Sequence, residues 1–307
     1  MTAALDRLVA PAPAERLAVL RILVGVYAVG WSVARLGEHL AHTRQPAHRW
    51  EPPGVWALRD APPPDLILVG LAVGTPVLGL LFVAGWRFRA VAPAFAVAVL
   101  VLATLDSSWG QVFHTENLMV LHVGILALAP GAADALAVNR RSAAPPEADG
   151  AYGWPVRLCA LVAVITYVVA GLAKLRYSGF DWADGSALRN LVAYDNLRKE
   201  LLGDRYSPLG TGLVGHAWVF PPLAIATLAV ELGAWVALLG GRRRTVWVVA
   251  AWVFHVGVLA LMAILFAYQL SGVAFAPFFR LERLADRFEP RALDRLRLVK
   301  RGGRRRA

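Results

Sequence analysis

With 307 residues, 58% of them hydrophobic and 17% charged, and a mean hydropathy of +0.53, the chain is too apolar for one soluble domain and suits a polytopic helix bundle in lipid. Its single cysteine, Cys159, excludes an internal disulfide. The net charge of +11 is concentrated at the C-terminus, where residues 280–307 carry eleven Lys+Arg against four acidic residues. That points to a cytoplasmic tail facing anionic lipid, with no nucleic-acid partner required to explain it.

The first fourteen residues read as a short disordered lead, followed by an apolar helix from Glu15 to Ala34. Arg21 lies a turn inside that helix, so it is expected to face the bundle or its interface. Residues 35–63 form a polar, proline-rich segment with His39, His42 and His48, read as a hydrated loop without a metal. Spans follow at 64–86, closed by Trp86-Arg87-Phe88-Arg89, and at 90–105. The next begins at FHTENLMVLHVGILALAP, with His114, Glu116 and Asn117 clustered at its start; His122 within it reads as a satisfied core histidine.

A linker containing Arg140 and Arg141 leads to the run Trp154–Leu172, which holds one charge, Arg157, and ends at Lys174. Residues 176–217 are of mixed polarity, with room for an amphipathic helix on the surface that sets Trp182 and Tyr194 at headgroup depth. A span at 218–239 carries an embedded Glu231 and stops at Gly240-Gly241-Arg242-Arg243-Arg244. Residues 245–279 would make a helix of about 52 Å, too long for one crossing, so two spans or one span plus a re-entrant piece are expected.

The fold class is therefore all-α: an integral membrane bundle of about eight transmembrane helices, or seven plus a re-entrant segment. Its membrane domain covers 15–279, and a basic amphipathic tail covers 280–307. Basic connections at Arg87/Arg89, Arg140/Arg141 and Arg242–Arg244 alternate with mixed-charge loops, which places both termini in the cytoplasm of a multi-pass cell-membrane protein. Lys174, His114 and residues 176–217 then share the exoplasmic side.

Lys174 stands out because the chain uses 29 arginines and three lysines, Lys174, Lys199 and Lys300. Arginine holds its proton in any protein, whereas a desolvated lysine can become a neutral amine and act as a base. The plainer reading is a lysine whose ammonium reaches up from the apolar span to the interface.

Five pieces of sequence, in order, carry a resemblance: LAVLRILVGVY (17–27), HTENLMVL…LALAP (114–130), YVVAGLAKL…DWADGSAL (167–188), VELGAWVAL (230–238) and FHVGVLALMAILF (254–266). The chain resembles the HTTM (horizontally transferred transmembrane domain) family, the membrane region shared with vitamin K-dependent gamma-carboxylase. The resemblance implies that Lys174 is the base that deprotonates a reduced isoprenoid quinone. It also implies that His114, His255 and Glu231 orient groups or relay protons, and that the motif residues Tyr167 and Trp182 lie against the quinol. Two departures weaken peptide carboxylation: Ala173 stands where the carboxylase usually has a second lysine, and no large extramembrane domain follows residue 280. The alternative is a non-catalytic membrane protein whose polar residues bridge helices or bind lipid.

Overall fold

The computed structural model describes residue 6 and residues 8–139 and 147–288. The basic pair Arg140/Arg141 and tail residues 289–307 lie outside the described residues. Every regular element described is helical. Six helical segments are long and apolar enough to cross a membrane: α1 (Ala14–Ala34), α3 (Asp65–Ala84), α4 (Phe88–Asp106), α6 (Gly150–Ser178), the run Ala217–Leu239 that contains α10 (Phe220–Leu232), and α11 (Gly241–Met262). Their outer faces are apolar: on α3, Leu66, Val69, Val73, Val77 and Leu80 recur at three- and four-residue spacing and are all exposed. A stripe of that kind suits lipid rather than water.

Short helices fill the connections: α2 (Leu36–Ala41), α5 (Asn117–Ala127), α7 (Phe180–Ala183), α8 (Ser186–Leu201), α9 (Pro208–Leu213), α12 (Ala267–Leu270) and α13 (Glu282–Phe288). The expected fourth span is α5, which at 11 residues is only about 16 Å long. The 245–279 stretch resolves as one span and a broken return. After α11 the chain turns at Ala263, with φ 51°, and comes back through α12 and the 3-10 turn Val273–Phe278. Such irregular backbone survives at membrane depth only inside protein. Tyr268, Gln269 and Ala274 to Phe278 are accordingly buried. α5 and this return add two shorter traverses to the six candidate spans among the described residues.

The passes sort the loops between two ends of the bundle. At one end Arg16 pairs with Glu282 at 2.7 Å, so the first span and the segment after the last pass meet there. Arg21, fully buried as its position required, donates to the carbonyls of Ala132 and Leu136 at 2.6 Å each and of Val83 at 3.2 Å. It thereby satisfies carbonyls at the C-terminus of α3 and in the turn after α5 that lack helical partners. At the other end gather residues 35–63, the close of α4, Lys174 and the segment 176–217, tied by Glu51 N to Ser108 O at 3.0 Å. There α8 anchors the end of α11: Lys199 donates to Met262 O at 2.6 Å and Asn196 to Leu261 O at 2.9 Å.

Close approach comes from small residues, as in other lipid-embedded bundles. A Cβ on Gly79 would lie 2.5 Å from Val29 Cγ2, and one on Gly25 would lie 2.6 Å from Val83 Cγ2, so α1 and α3 meet along a glycine seam.

Four expectations are corrected. Residues 8–12 are not a loose lead: Ala12 pairs with Asp149 through both backbone bonds, and Arg157 donates to Leu8 O and Ala10 O. Residues 35–63 are not a uniformly hydrated loop, because His39 is fully buried. Trp182 does not lie at the surface; it is buried against Leu188, Val192 and Phe220, and its indole donates to Thr227 Oγ1 at 3.1 Å. The first turn of the tail also departs from a free amphipathic segment, since Leu281 and Ala285 join the main core.

Candidate functional site

Lys174 occupies the last turns of α6, the longest helix, whose N-terminus is capped by Asp149 accepting from Ala151 N at 2.7 Å. One turn before it, Gly171 brings α6 against α10: a Cβ there would lie 2.8 Å from Leu232 Cδ2 and 3.0 Å from Glu231 Cβ. The approach delivers Lys174 Nζ to the carboxylate of Glu231, which is buried. The ammonium also stands 5.1 Å from the ring centre of Trp182, within cation–π range. Glu231 Oε2 has no hydrogen-bond donor among the described residues. The result is an acid–base pair between two apolar spans, covered by an aromatic ring and with one acceptor open.

Two turns back along α6, Tyr167 OH meets His255 Nε2 of α11 at 2.7 Å. The Tyr167 ring packs edge-on against Trp247 at 5.1 Å, and the Trp247 indole in turn donates to Val230 O, next to Glu231, at 2.8 Å. Phe266, at the turn after α11, lies between the rings of His255 at 4.8 Å and His114 at 5.5 Å. Thus the structure pairs Lys174 with Glu231 and Trp182, and Tyr167 with His255. His114 reaches the second pair only through the Phe266 ring and is itself exposed. His122 is fully bonded, to Tyr268 OH at 2.8 Å and Cys159 O at 3.1 Å, and has a local structural role.

A second polar cluster lies at the same end. His39 Nδ1 and His42 Nε2 both approach Asp106 Oδ1, at 3.0 and 2.8 Å, and Arg35 stands 3.3 Å from Asp106 Oδ2. These are the described residues with the donor types to hold a metal. The sequence held a signal for them that the reading of 35–63 passed over: His-x-x-His puts both rings on one face of a helical turn. Asp106 is 64 residues beyond His42, and only the return of α4 to this end joins them.

A profile of the HTTM domain matches residues 9–282. The chain belongs to the HTTM family. No curated protein and no solved structure matches it. The HTTM match begins five residues before α1 and ends at the first residue of α13, so it takes in the tied-down residues 9–12 and the Arg16–Glu282 contact that the expected 15–279 boundary divided. Within this HTTM bundle, the string Tyr167…Gly171…Lys174…Trp182 runs along one helix end and the turn after it.

Proposed function

We propose that this HTTM protein binds an isoprenoid quinol, or a lipid with a comparably acidic hydroxyl, and removes its proton with Lys174. The observation that supports this reading is the Lys174–Glu231 pair, set between two apolar spans beneath the Trp182 ring. In this reading the Lys174 proton passes to the buried Glu231 carboxylate, which frees the amine. The amine of Lys174 then takes the hydroxyl proton, leaving the quinolate anion beside the ammonium, while Glu231 holds the first proton. Tyr167 and His255 orient the ring through their shared hydrogen bond, with His114 at the rim. A lipid-soluble substrate arrives through the apolar outer faces of the spans, without crossing water.

A second reading has an observation of its own. Arg21 at the opposite end is a buried cation with a purely structural role, and Lys174–Glu231 joins α6 to α10 in the same way. Lys174→Arg separates the two. A strut tolerates arginine, whereas a base is lost, because a guanidinium stays protonated at every accessible pH. Lipid extraction and mass spectrometry of the purified protein should find a retained quinone, which then serves as substrate. Lys174→Arg should cut turnover by about 10²–10⁴-fold with thermal stability unchanged. Full activity in that variant ends the proposal that Lys174 does chemistry.

The reading also assigns sidedness. The end carrying Arg16, Arg87, Arg89 and Arg244 faces the cytoplasm and anionic lipid, and the Lys174 end faces outward. With Cys159 replaced, a cysteine introduced at Ser186 should react with an impermeant reagent in intact cells. Labelling only after permeabilisation reverses the assignment.

A further inference from the structure

Two imidazoles from the connection after α1 and a carboxylate from the end of α4 converge at the same end of the bundle as the Lys174 pair and independently of it. His39 on α2 and His42 in the 3-10 turn His42–Arg44 are three residues apart, so both rings project to the same side. Asp106 is the last residue of α4. Nδ1 of His39, Nε2 of His42 and an oxygen of Asp106 all lie within 4.8 Å of one another. The site is shielded, with side-chain exposures of 0%, 12% and 4% for His39, His42 and Asp106. Trp109 stacks on the His42 ring at 5.8 Å, and Trp31 meets His39 edge-on at 5.2 Å.

We propose that His39, His42 and Asp106 are three ligands of a first-row divalent transition cation. Ligand bonds of about 2.0–2.2 Å at tetrahedral angles put donor atoms roughly 3.4 Å apart. The two nitrogens lie 3.0 and 2.8 Å from Asp106 Oδ1, so each pair opens by only about half an ångström to admit the ion. Two imidazoles and one carboxylate select the zinc or ferrous class over magnesium and calcium, which take oxygen ligands.

Ligation moves the ring protons to His39 Nε2 and His42 Nδ1. Neither atom has a hydrogen-bond partner among the described residues, so no other bond in the cluster is broken. The charge balance agrees. Among the described residues Arg35 is the arginine or lysine paired with Asp106, at 3.3 Å from Oδ2, and it is shared with Glu38 at 2.8 Å and Glu116 at 3.5 Å. Three carboxylates thus face one guanidinium, and a dication at Oδ1 restores the balance. Arg35 then positions Asp106 from behind, as outer partners of metal-bound carboxylates do. His42 is the most exposed of the three ligands, at 12% of its side chain.

The test uses the full chain purified through a tag without histidines. Elemental analysis should find about one transition metal per chain. After chelation, Zn2+ or Fe2+ added under argon should raise the melting temperature, and Mg2+ should not. Co2+ should give visible absorption bands in the wild type that His42→Gln and Asp106→Asn lose. Those bands report ligation itself, so they remain decisive if a variant changes stability. Selective recovery with Zn2+ or with Fe2+ identifies which of the two is native. A chain that retains no metal and shows neither a thermal shift nor cobalt bands overturns the proposal, as do bands that persist unchanged in both variants.

Discussion

The two ends of the bundle differ in what meets their buried charge. At the basic end the buried cation, Arg21, donates to three backbone carbonyls, and Arg157 does the same for Leu8 and Ala10. At the Lys174 end Lys199 also donates to a backbone carbonyl, that of Met262, but the buried carboxylates Glu231 and Asp106 are met by lysine, arginine and histidine side chains. The open atoms follow the same division. Among the described residues, Glu231 Oε2, Asp106 Oδ2, Asp195 Oδ2, His39 Nε2, His42 Nδ1 and His255 Nδ1 are open at or toward the Lys174 end, along with the indole nitrogens of Trp31 and Trp109, whereas Arg21 and Arg244 leave only Nε atoms open. An arginine bonded to carbonyls fixes backbone. A carboxylate bonded to lysine or histidine with an atom to spare can do chemistry.

Substitutions can break this comparison, and Arg21→Leu should have the largest effect. It strands the carbonyls of Val83, Ala132 and Leu136, each costing about 1–3 kcal/mol when buried without a donor, so a loss of about 3 kcal/mol or more is expected. Thermal or denaturant unfolding in detergent measures it. Any quinone bound at Lys174 should be retained by whatever fraction folds. An Arg21→Leu protein of wild-type stability would remove the structural half of the comparison.

Gly171→Ala sharpens the Lys174 half. The added methyl meets Leu232 and Glu231 below 3.1 Å and pushes α10 away from α6. Overpacking of this kind costs about 1–2 kcal/mol after side chains adjust. Turnover should fall further than stability, because the displaced group is the partner of Lys174. Equal activity in the two proteins would mean that the spacing of this pair is unimportant.

What the sequence disclosed follows from how far each signal reaches. Apolar runs are local, so α1, α3 and α4 were legible, and Arg21 announced itself by its cost in lipid. The motif through Lys174 was legible as well, because Tyr167, Gly171 and Lys174 lie on one helix. Pairings across passes were not. Glu231 is 57 residues from Lys174, and Asp106 is 64 from His42. The burial of Trp182 depends on α10 packing over it, and the shortness of α5 on the early turn at Pro130, which its apolar neighbours hide.

The smallest effect belongs to the Arg16–Glu282 pair, which joins α1 to the helix after the last pass. Arg16 donates to both carboxylate oxygens at 2.7 Å, and these bonds hold Glu282 below the usual range for a glutamate; partial burial works the other way. A carboxylate with a lowered folded value contributes stability above its unfolded pKa, about 4.3, and loses that contribution as pH falls through the folded value. Because both side chains are one-fifth exposed, water and salt weaken the pair, and about 1 kcal/mol or less is expected at neutral pH. Glu282→Gln should therefore melt slightly below wild type at pH 7, with the gap closing as acid protonates Glu282 and narrowing in high salt. A gap that stays constant from neutral to acid pH would mean that the helix after the last pass is held by Leu281 and Ala285 alone, without help from the charge.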